Sequence, residues 1–131
     1  MKPCGSLIGA KILIVEDEPA ISALLEAAVS AADGAIVGPA TDIRGALSLL
    51  RTRKIDAAIL DMIVAGIYCD EIAHELHSRN IPYAITTGIG ADESHPQLQA
   101  ALSITKPFQA EYVQSVLAGM LARRSAEPTL K

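Results

Sequence analysis

The stretch KILIVEDEP, Lys11 to Pro19, decides the fold, because four apolar residues in it run directly into three acids and a proline. The apolar run Ile12–Val15 is typical of a short, buried strand. The acids that follow repel one another, which costs free energy unless a cation lies near them. Two interpretations stay open here. The acids can belong to the start of a helix near Pro19, where the helix dipole favours them, or they can form a cation site at the end of a strand.

The composition is that of one folded domain with no electrostatic reason to bind nucleic acid. The chain has 131 residues, of which 50% are hydrophobic and 20% are charged, and its net charge is −4. Aromatic residues make up 3%, too few for a surface that stacks bases. Cys4 and Cys69 lie far apart, so neither a zinc site nor a disulfide framework is predicted. No secretory leader or membrane span is evident, and we expect a cytoplasmic protein.

Short apolar segments recur along the chain and alternate with segments of helical periodicity. Such alternation predicts a parallel sheet that helices cover on both faces. The predicted strands are Ile12–Val15, Ala35–Gly38, Ala57–Leu60, a segment within Pro82–Gly88, and Ser103–Thr105.

Five helices are predicted from apolar residues spaced three and four apart. The first ends near Gly34, Thr41 and Asp42 are candidate caps of the second, and a loop to Gly66 precedes the third. The fourth is short, at about Pro96 to Leu102. The inward-facing residues are predicted to be Ile21, Leu24, Leu25, Ala28 and Val29 in the first helix; Ile43, Ala46, Leu47 and Leu50 in the second; Ile72, Ala73 and Leu76 in the third; and Tyr112, Val113, Val116, Leu117 and Met120 in the last.

Polar side chains stand at or just past the carboxyl ends of the predicted strands. In parallel sheets, ligands gather at this edge, near the point where the strand order reverses. The residues are Glu16, Asp17, Asp61, Thr87 and Lys106. We therefore expect three carboxylates, a hydroxyl and an amine to converge on one cleft, which favours the cation site over simple helix-start acids.

This set of groups suits phosphoryl transfer. Carboxylate oxygens are ligands of Mg²⁺, which tolerates few protein ligands and keeps several waters. A lysine and a threonine hydroxyl can bind the oxygens of a phosphoryl group. The transfer depends mainly on positioning and on neutralising charge, and an aspartate can act as the nucleophile by forming an aspartyl phosphate.

The ordered set of motifs resembles the receiver domain of two-component response regulators, over about Lys11 to Arg123. The motifs are the acidic pair Glu16-Asp17, Asp61 in ILDMIVAG, Thr87 in ITTG and Lys106 in TKPF. The resemblance implies a flavodoxin-like (CheY-like) α/β fold. Its doubly wound, five-stranded parallel sheet has the strand order 2-1-3-4-5, here with a shortened fourth helix.

The same resemblance implies a role for each site residue. Asp61 is the phosphoacceptor for a partner histidine kinase or phosphotransfer protein, and Thr87 and Lys106 bind the phosphoryl group. A Mg²⁺ ion is held by Glu16, Asp17, Asp61 and the backbone carbonyl of Ile63. Lys106–Pro107 is a candidate cis peptide bond.

The sequence departs from the family pattern at two positions near the site. Ser103 stands where the family usually has an aromatic residue, so the usual threonine–aromatic switch is not expected. Ala65 stands where the family usually has a proline. With PYAITTGIG (Pro82–Gly90) and the short fourth helix, these features resemble the FAT GUY subgroup of receivers, which are often stand-alone domains in alphaproteobacterial stress signalling.

Ile63 and Ile89 occupy the positions that, in receivers, flank the approach of water to the phosphorylated aspartate. Hydrolysis needs a polar group that holds a water in line with the breaking bond. Neither isoleucine can do so, which predicts a long-lived phosphoryl group and favours an adaptor or shuttle over a self-clearing timer. The alternative is that both side chains only pack against the fourth helix.

We expect residues 1–10 to form an N-terminal extension, 11–124 the receiver domain and 125–131 a flexible tail. The expected function is that of a single-domain response regulator, not an enzyme. It serves as an adaptor, shuttle or sink and contacts a downstream protein through its fourth helix, fifth strand and fifth helix, with neither nucleic acid nor membrane as a partner. Two alternatives stay open: an aspartate-nucleophile phosphatase of the haloacid dehalogenase type, whose second acid is replaced here by Ile63, and a degenerate receiver that binds partners without phosphorylation.

Overall fold

The computed structural model describes residues 5–88 and 102–126. Its strands are β1 Lys11–Val15, β2 Ala35–Ala40, β3 Ala57–Asp61, β4 Ile63–Val64, β5 Ile67–Tyr68, β6 Tyr83–Thr87 and β7 Leu102–Thr105. Five parallel strands form the main sheet in the order β2-β1-β3-β6-β7, and β4 and β5 form a separate antiparallel pair. Counted along the chain, the main strands have the order 2-1-3-4-5, so the predicted fold class is confirmed.

Helices cover both faces of this sheet. Those in the described residues are α1 Pro19–Ala31, α2 Ile43–Thr52, α3 Asp70–Ser78 and the C-terminal helix Ala110–Ala126. One core layer packs α2 and α3 against strand residues such as Leu13 and Leu60. The other packs α1 and the C-terminal helix against Ile12 and Ile59, because successive strand residues face opposite sides. The predicted fourth helix lies outside the described residues, apart from Leu102, which belongs to β7.

None of the helices in the described ranges is both long enough and apolar enough to cross a membrane.

Two residues predicted to face inward are instead exposed. Leu24 in α1 and Tyr112 in the C-terminal helix are each 52% exposed. In α1 the buried stripe runs through Ser22, Leu25 and Val29, which turns Leu24 toward solvent. The polar Ser22 occupies one inward position of this stripe, so the spacing of apolar residues placed Leu25, Ala28 and Val29 correctly but misplaced Leu24.

Strand β2 is longer than predicted because it continues through a bulge at Gly38–Pro39. The register between β1 and β2 shifts there by one residue. The Gly38–Pro39 peptide bond is cis, and Gly38 has a φ of 102°, which favours glycine. Because β2 is an edge strand, a proline without an N–H is tolerated. The extension lets Ala40 O accept a hydrogen bond from Glu16 N at 2.9 Å, just beyond the end of β1.

We predict opposite effects of alanine at two glycines. Gly38→Ala should lower the free energy of unfolding by about 1–3 kcal/mol, because its Cβ would lie 2.8 Å from Ala40 N and 3.0 Å from Ile14 O. Gly119→Ala should raise it by up to about 1 kcal/mol, since alanine favours a helix. Among the described residues, the nearest atom to that new Cβ is Arg123 Nη1, at 3.6 Å. Urea unfolding measures both changes, and a Gly38→Ala variant as stable as the parent would contradict the bulge geometry.

Candidate functional site

Three carboxylates meet at the carboxyl ends of β1 and β3. Asp61 is the last residue of β3, and Glu16 and Asp17 directly follow β1. One oxygen from each of the three lies within 4.8 Å of the others. The three differ in depth, since Glu16 is buried, Asp61 is partly buried and Asp17 is exposed. The fold thus brings together the acids that the sequence places at strand ends.

Glu16 is the innermost acid, with 1% of its surface exposed. Its Oε2 accepts a hydrogen bond from Glu18 N at 3.1 Å. Its Oε1 has no hydrogen-bond partner in the part of the chain that the structure describes. Burial, and next the negative charge of Asp61, raise the pKa of Glu16 to about 7. Glu16 is therefore costly to keep ionised unless positive charge is added beside it.

Lys106 brings a positive charge to this cluster. Its Nζ lies 3.5 Å from Asp61 Oδ2 and 3.8 Å from Glu16 Oε1, which are distances of ion pairs rather than of strong hydrogen bonds. Its backbone N donates to Thr87 O at 2.8 Å. The Lys106–Pro107 peptide bond is cis, as predicted. Among the described residues, Lys106 pairs with two of the three carboxylates, which leaves an excess of negative charge at the site.

The segment after Asp61 is a β-hairpin, where the sequence predicts an irregular loop as far as Gly66. Between β4 and β5, Ala65 and Gly66 have φ values of 51° and 79°, both positive as in a type I′ turn. Ala65 N donates to Asp17 Oδ2 at 3.1 Å. A weak signal for the hairpin exists in the sequence, because two apolar pairs flank a two-residue turn with glycine. Alanine in place of the usual asparagine or aspartate obscures it.

The structure describes three of the four remaining predicted site residues, namely Thr87, Ser103 and Ile63. Thr87 ends β6 and is buried, and Ser103 is exposed on β7. Ile63 is 42% exposed, and its N donates a long hydrogen bond of 3.4 Å to Asp61 Oδ1. Ile89 lies outside the described residues.

Thr86 is a polar residue near the site that the sequence pattern does not single out. It pairs with Asp61 in the register of β3 with β6. Its side chain is fully buried, and its Oγ1 has no hydrogen-bond partner among the described residues. Neighbouring strand residues face opposite sides of a sheet, so only one of the two threonines in ITTG is expected at any one site.

The three acids form a triad that suits a divalent metal. Carboxylate oxygens are the ligands that hard cations such as Mg²⁺ prefer. The buried Glu16 Oε1 has no hydrogen-bond partner within the described ranges, and its ion pair with Lys106 Nζ is long, at 3.8 Å. A bound Mg²⁺ would supply positive charge that stabilises both the acids and the oxygens of a phosphoryl group.

We predict that Glu16→Gln stabilises the metal-free protein and weakens its response to Mg²⁺. Above the raised pKa of Glu16, the substitution removes one of three charges that repel one another, a gain on the order of 1–3 kcal/mol. It also removes one of the three carboxylates that would bind the metal. Glu18→Gln is the matched control, because Glu18 is exposed and lies outside the triad. Thermal unfolding in EDTA and in excess Mg²⁺ measures both effects. A Mg²⁺-induced rise in Tm that is as large in Glu16→Gln as in the parent would argue against the metal site.

Comparison with known proteins identifies the family to which this chain is similar. The family model of the response regulator receiver domain matches residues 12–118. The transcriptional regulatory protein TcrA of Mycobacterium tuberculosis is 34% identical over 92 residues, which cover 69% of this chain and 36% of that protein. The chain thus spans about a third of the length of this curated relative.

Solved structures share the fold. SdrG from Sphingomonas melonis Fr1 is 35% identical with a TM-score of 0.76, over 88% of this chain and 98% of that one. The response regulator PhyR from Brucella abortus is 25% identical with a TM-score of 0.78, over 92% of this chain and 51% of that one. A signal receiver domain from Desulfovibrio desulfuricans G20 is 20% identical with a TM-score of 0.81, over 90% and 98% of the two chains.

Receiver domains have a cognate kinase as partner, and membership in this family decides against the phosphatase alternative. The match over residues 12–118, the strand order and the acidic triad lead to one conclusion: this chain belongs to the response regulator receiver domain family, whose members are phosphoacceptor signalling domains and not conventional enzymes.

Proposed function

We propose that this receiver domain takes a phosphoryl group from a histidine kinase, or from a phosphotransfer protein, onto Asp61 in a Mg²⁺-dependent reaction. One observation carries the proposal: Asp61 Oδ2 lies 3.5 Å from Lys106 Nζ at the edge of a three-carboxylate cluster. In the transfer, a carboxylate oxygen of Asp61 forms a bond to phosphorus while the bond from phosphorus to the histidine nitrogen breaks.

The neighbouring residues take roles that follow from their positions. The Mg²⁺ ligands are Glu16, Asp17, Asp61 and the backbone carbonyl of Ile63. Lys106 pairs with Asp61 before the transfer and with a phosphoryl oxygen afterwards, and the Thr87 hydroxyl donates to another of these oxygens. The hydrogen bond from Lys106 N to Thr87 O, at 2.8 Å, supports this division, because it keeps the two phosphoryl-binding residues side by side.

We assign the output to a protein contact on the face formed by β7 and the C-terminal helix; the fourth helix that the sequence predicts for this contact lies outside the described residues. Leu102 on β7 is 45% exposed and Tyr112 on the C-terminal helix is 52% exposed. An open groove nearby is lined by Phe108 and Tyr112, among others. Exposed apolar side chains around a groove are typical of protein-interaction surfaces. On this basis the domain signals through protein contacts, as an adaptor, shuttle or sink.

We also assign residues 11–124 to the receiver domain, and the domain to the FAT GUY subgroup. Two features support the subgroup. Ser103 offers no aromatic ring at the usual switch position. Ala65 has a φ of 51°, which proline cannot adopt because its ring holds φ near −65°. The loop after Asp61 is therefore built differently from one that carries the proline usual in receivers.

Asp61→Asn should accept no phosphoryl group from acetyl phosphate in the presence of Mg²⁺, because an amide is a poor nucleophile. Asp33→Asn is the matched control, since Asp33 is an exposed aspartate remote in sequence from the triad, and it should be labelled like the parent. Intact-protein mass spectrometry measures the label. Equal labelling of Asp61→Asn and the parent would falsify the phosphoacceptor assignment. A parent that binds Mg²⁺ but takes no label would instead favour the degenerate receiver.

Ile63→Asn should speed spontaneous loss of the phosphoryl group by roughly tenfold, because an amide can hold a water in line with the breaking bond. Ile67→Asn is the matched control, since Ile67 is also on the hairpin and is 58% exposed. It should leave the rate unchanged. The double variant with Ile89→Glu extends the measurement to the second predicted position. Loss that is no faster in either polar variant would mean that the isoleucines only pack.

A further inference from the structure

The hairpin turn beside the acids is held in place by the fold. Val64 is fully buried in the core layer of α2 and α3. Cys69 N donates to Met62 O at 2.9 Å, which closes the base of the hairpin. Ala65 and Gly66 then complete a two-residue turn in which both residues have positive φ. The position of the Ala65 amide is therefore set by core packing and by backbone pairing.

That amide points at one of the three carboxylates. Ala65 N donates to Asp17 Oδ2 at 3.1 Å, although the two residues are 48 positions apart in the chain. Asp17 is the exposed member of the triad, so its side chain would otherwise sample several rotamers. A carboxylate has about four acceptor sites, so after one hydrogen bond it still has free lone pairs that can bind a metal ion. The contact therefore orients Asp17 without using up its capacity to bind a cation.

We propose that Ala65 is a positioning residue for the metal site: its backbone N–H orients the Asp17 carboxylate and thereby raises the affinity for Mg²⁺. This role rests on the proposed function, because it takes the triad to be a Mg²⁺ site. Hydrogen bonds behind a metal ligand commonly fix its orientation and change metal affinity. The positioning role depends only on the backbone of Ala65 and not on its side chain. Glycine keeps both the N–H and the positive φ, whereas proline loses both.

Ala65→Pro and Ala65→Gly form the matched pair that tests this role. Mg²⁺ titration followed by backbone amide chemical shifts gives the dissociation constant of each variant. We expect Ala65→Pro to bind Mg²⁺ about tenfold more weakly than the parent, and Ala65→Gly to bind like the parent. Parent affinity in Ala65→Pro, or an equal loss in Ala65→Gly, would overturn the proposal.

A second measurement uses no substitution at the turn. In the metal-free parent, the Ala65 amide should be protected from hydrogen exchange, and Asp17→Ala should speed its exchange roughly tenfold. The Cys69 amide, bonded to Met62 O, is the internal control and should not change. Ala65 exchange that is fast in the parent, or unchanged in Asp17→Ala, would overturn the positioning role. A parent without Mg²⁺ affinity would sink the proposed function as well. If the parent binds Mg²⁺ and both Ala65 variants bind it with the same affinity, only the positioning role is contradicted.

Discussion

Repulsion among Glu16, Asp17 and Asp61 is the constraint on which the rest of the site depends. Their carboxylate oxygens lie within 4.8 Å of one another. Two unit charges that far apart repel by about 1 kcal/mol in bulk water and by about 3 kcal/mol at the effective dielectric constant of a protein surface. Lys106 offsets part of this repulsion. Backbone hydrogen bonds offset a further part of the repulsion, because each acid accepts one from a main-chain N–H. Glu16 accepts from Glu18, Asp17 from Ala65 and Asp61 from Ile63.

These three donors come from segments that the fold shapes for the purpose. The bulge at Gly38–Pro39 lengthens β2, so that Ala40 O accepts a hydrogen bond from Glu16 N. This bond sets the direction in which the chain leaves β1. The hairpin of β4 and β5 returns the chain to the acids after Asp61. The strand order, the bulge in β2 and the hairpin turn thus all help to hold the three acids close together in the absence of a cation.

The sequence was sufficient to predict which strand ends form the site. Apolar runs locate the strand ends, and parallel strands end at one edge of the sheet. Asp61 and Lys106 were placed in this way, and Asp42 was foreseen as a helix cap, where its Oδ1 accepts from Gly45 N at 2.7 Å. The bulge and the hairpin turn were not predicted, since both depend on positive φ at residues such as Gly38 and Ala65, and the alanine obscures the weak hairpin signal. Hydrophobic periodicity carries no information on the sign of φ. It also misplaced Leu24, because a buried serine interrupts the apolar stripe of α1.

The graded depth of the three acids has a kinetic consequence. Asp17 stands in solvent, Asp61 is partly buried and Glu16 lies beneath them with 1% of its surface exposed. Within the described residues, Asp17 is the outermost of the three carboxylates, so an ion that enters past it would displace no core side chain. The exchange rate would then be governed by how fast the ion sheds water, which is slow for Mg²⁺, and not by opening of the domain. Loss and return of a bound cation would therefore not require the domain to unfold, although the cation would still stabilise the folded state.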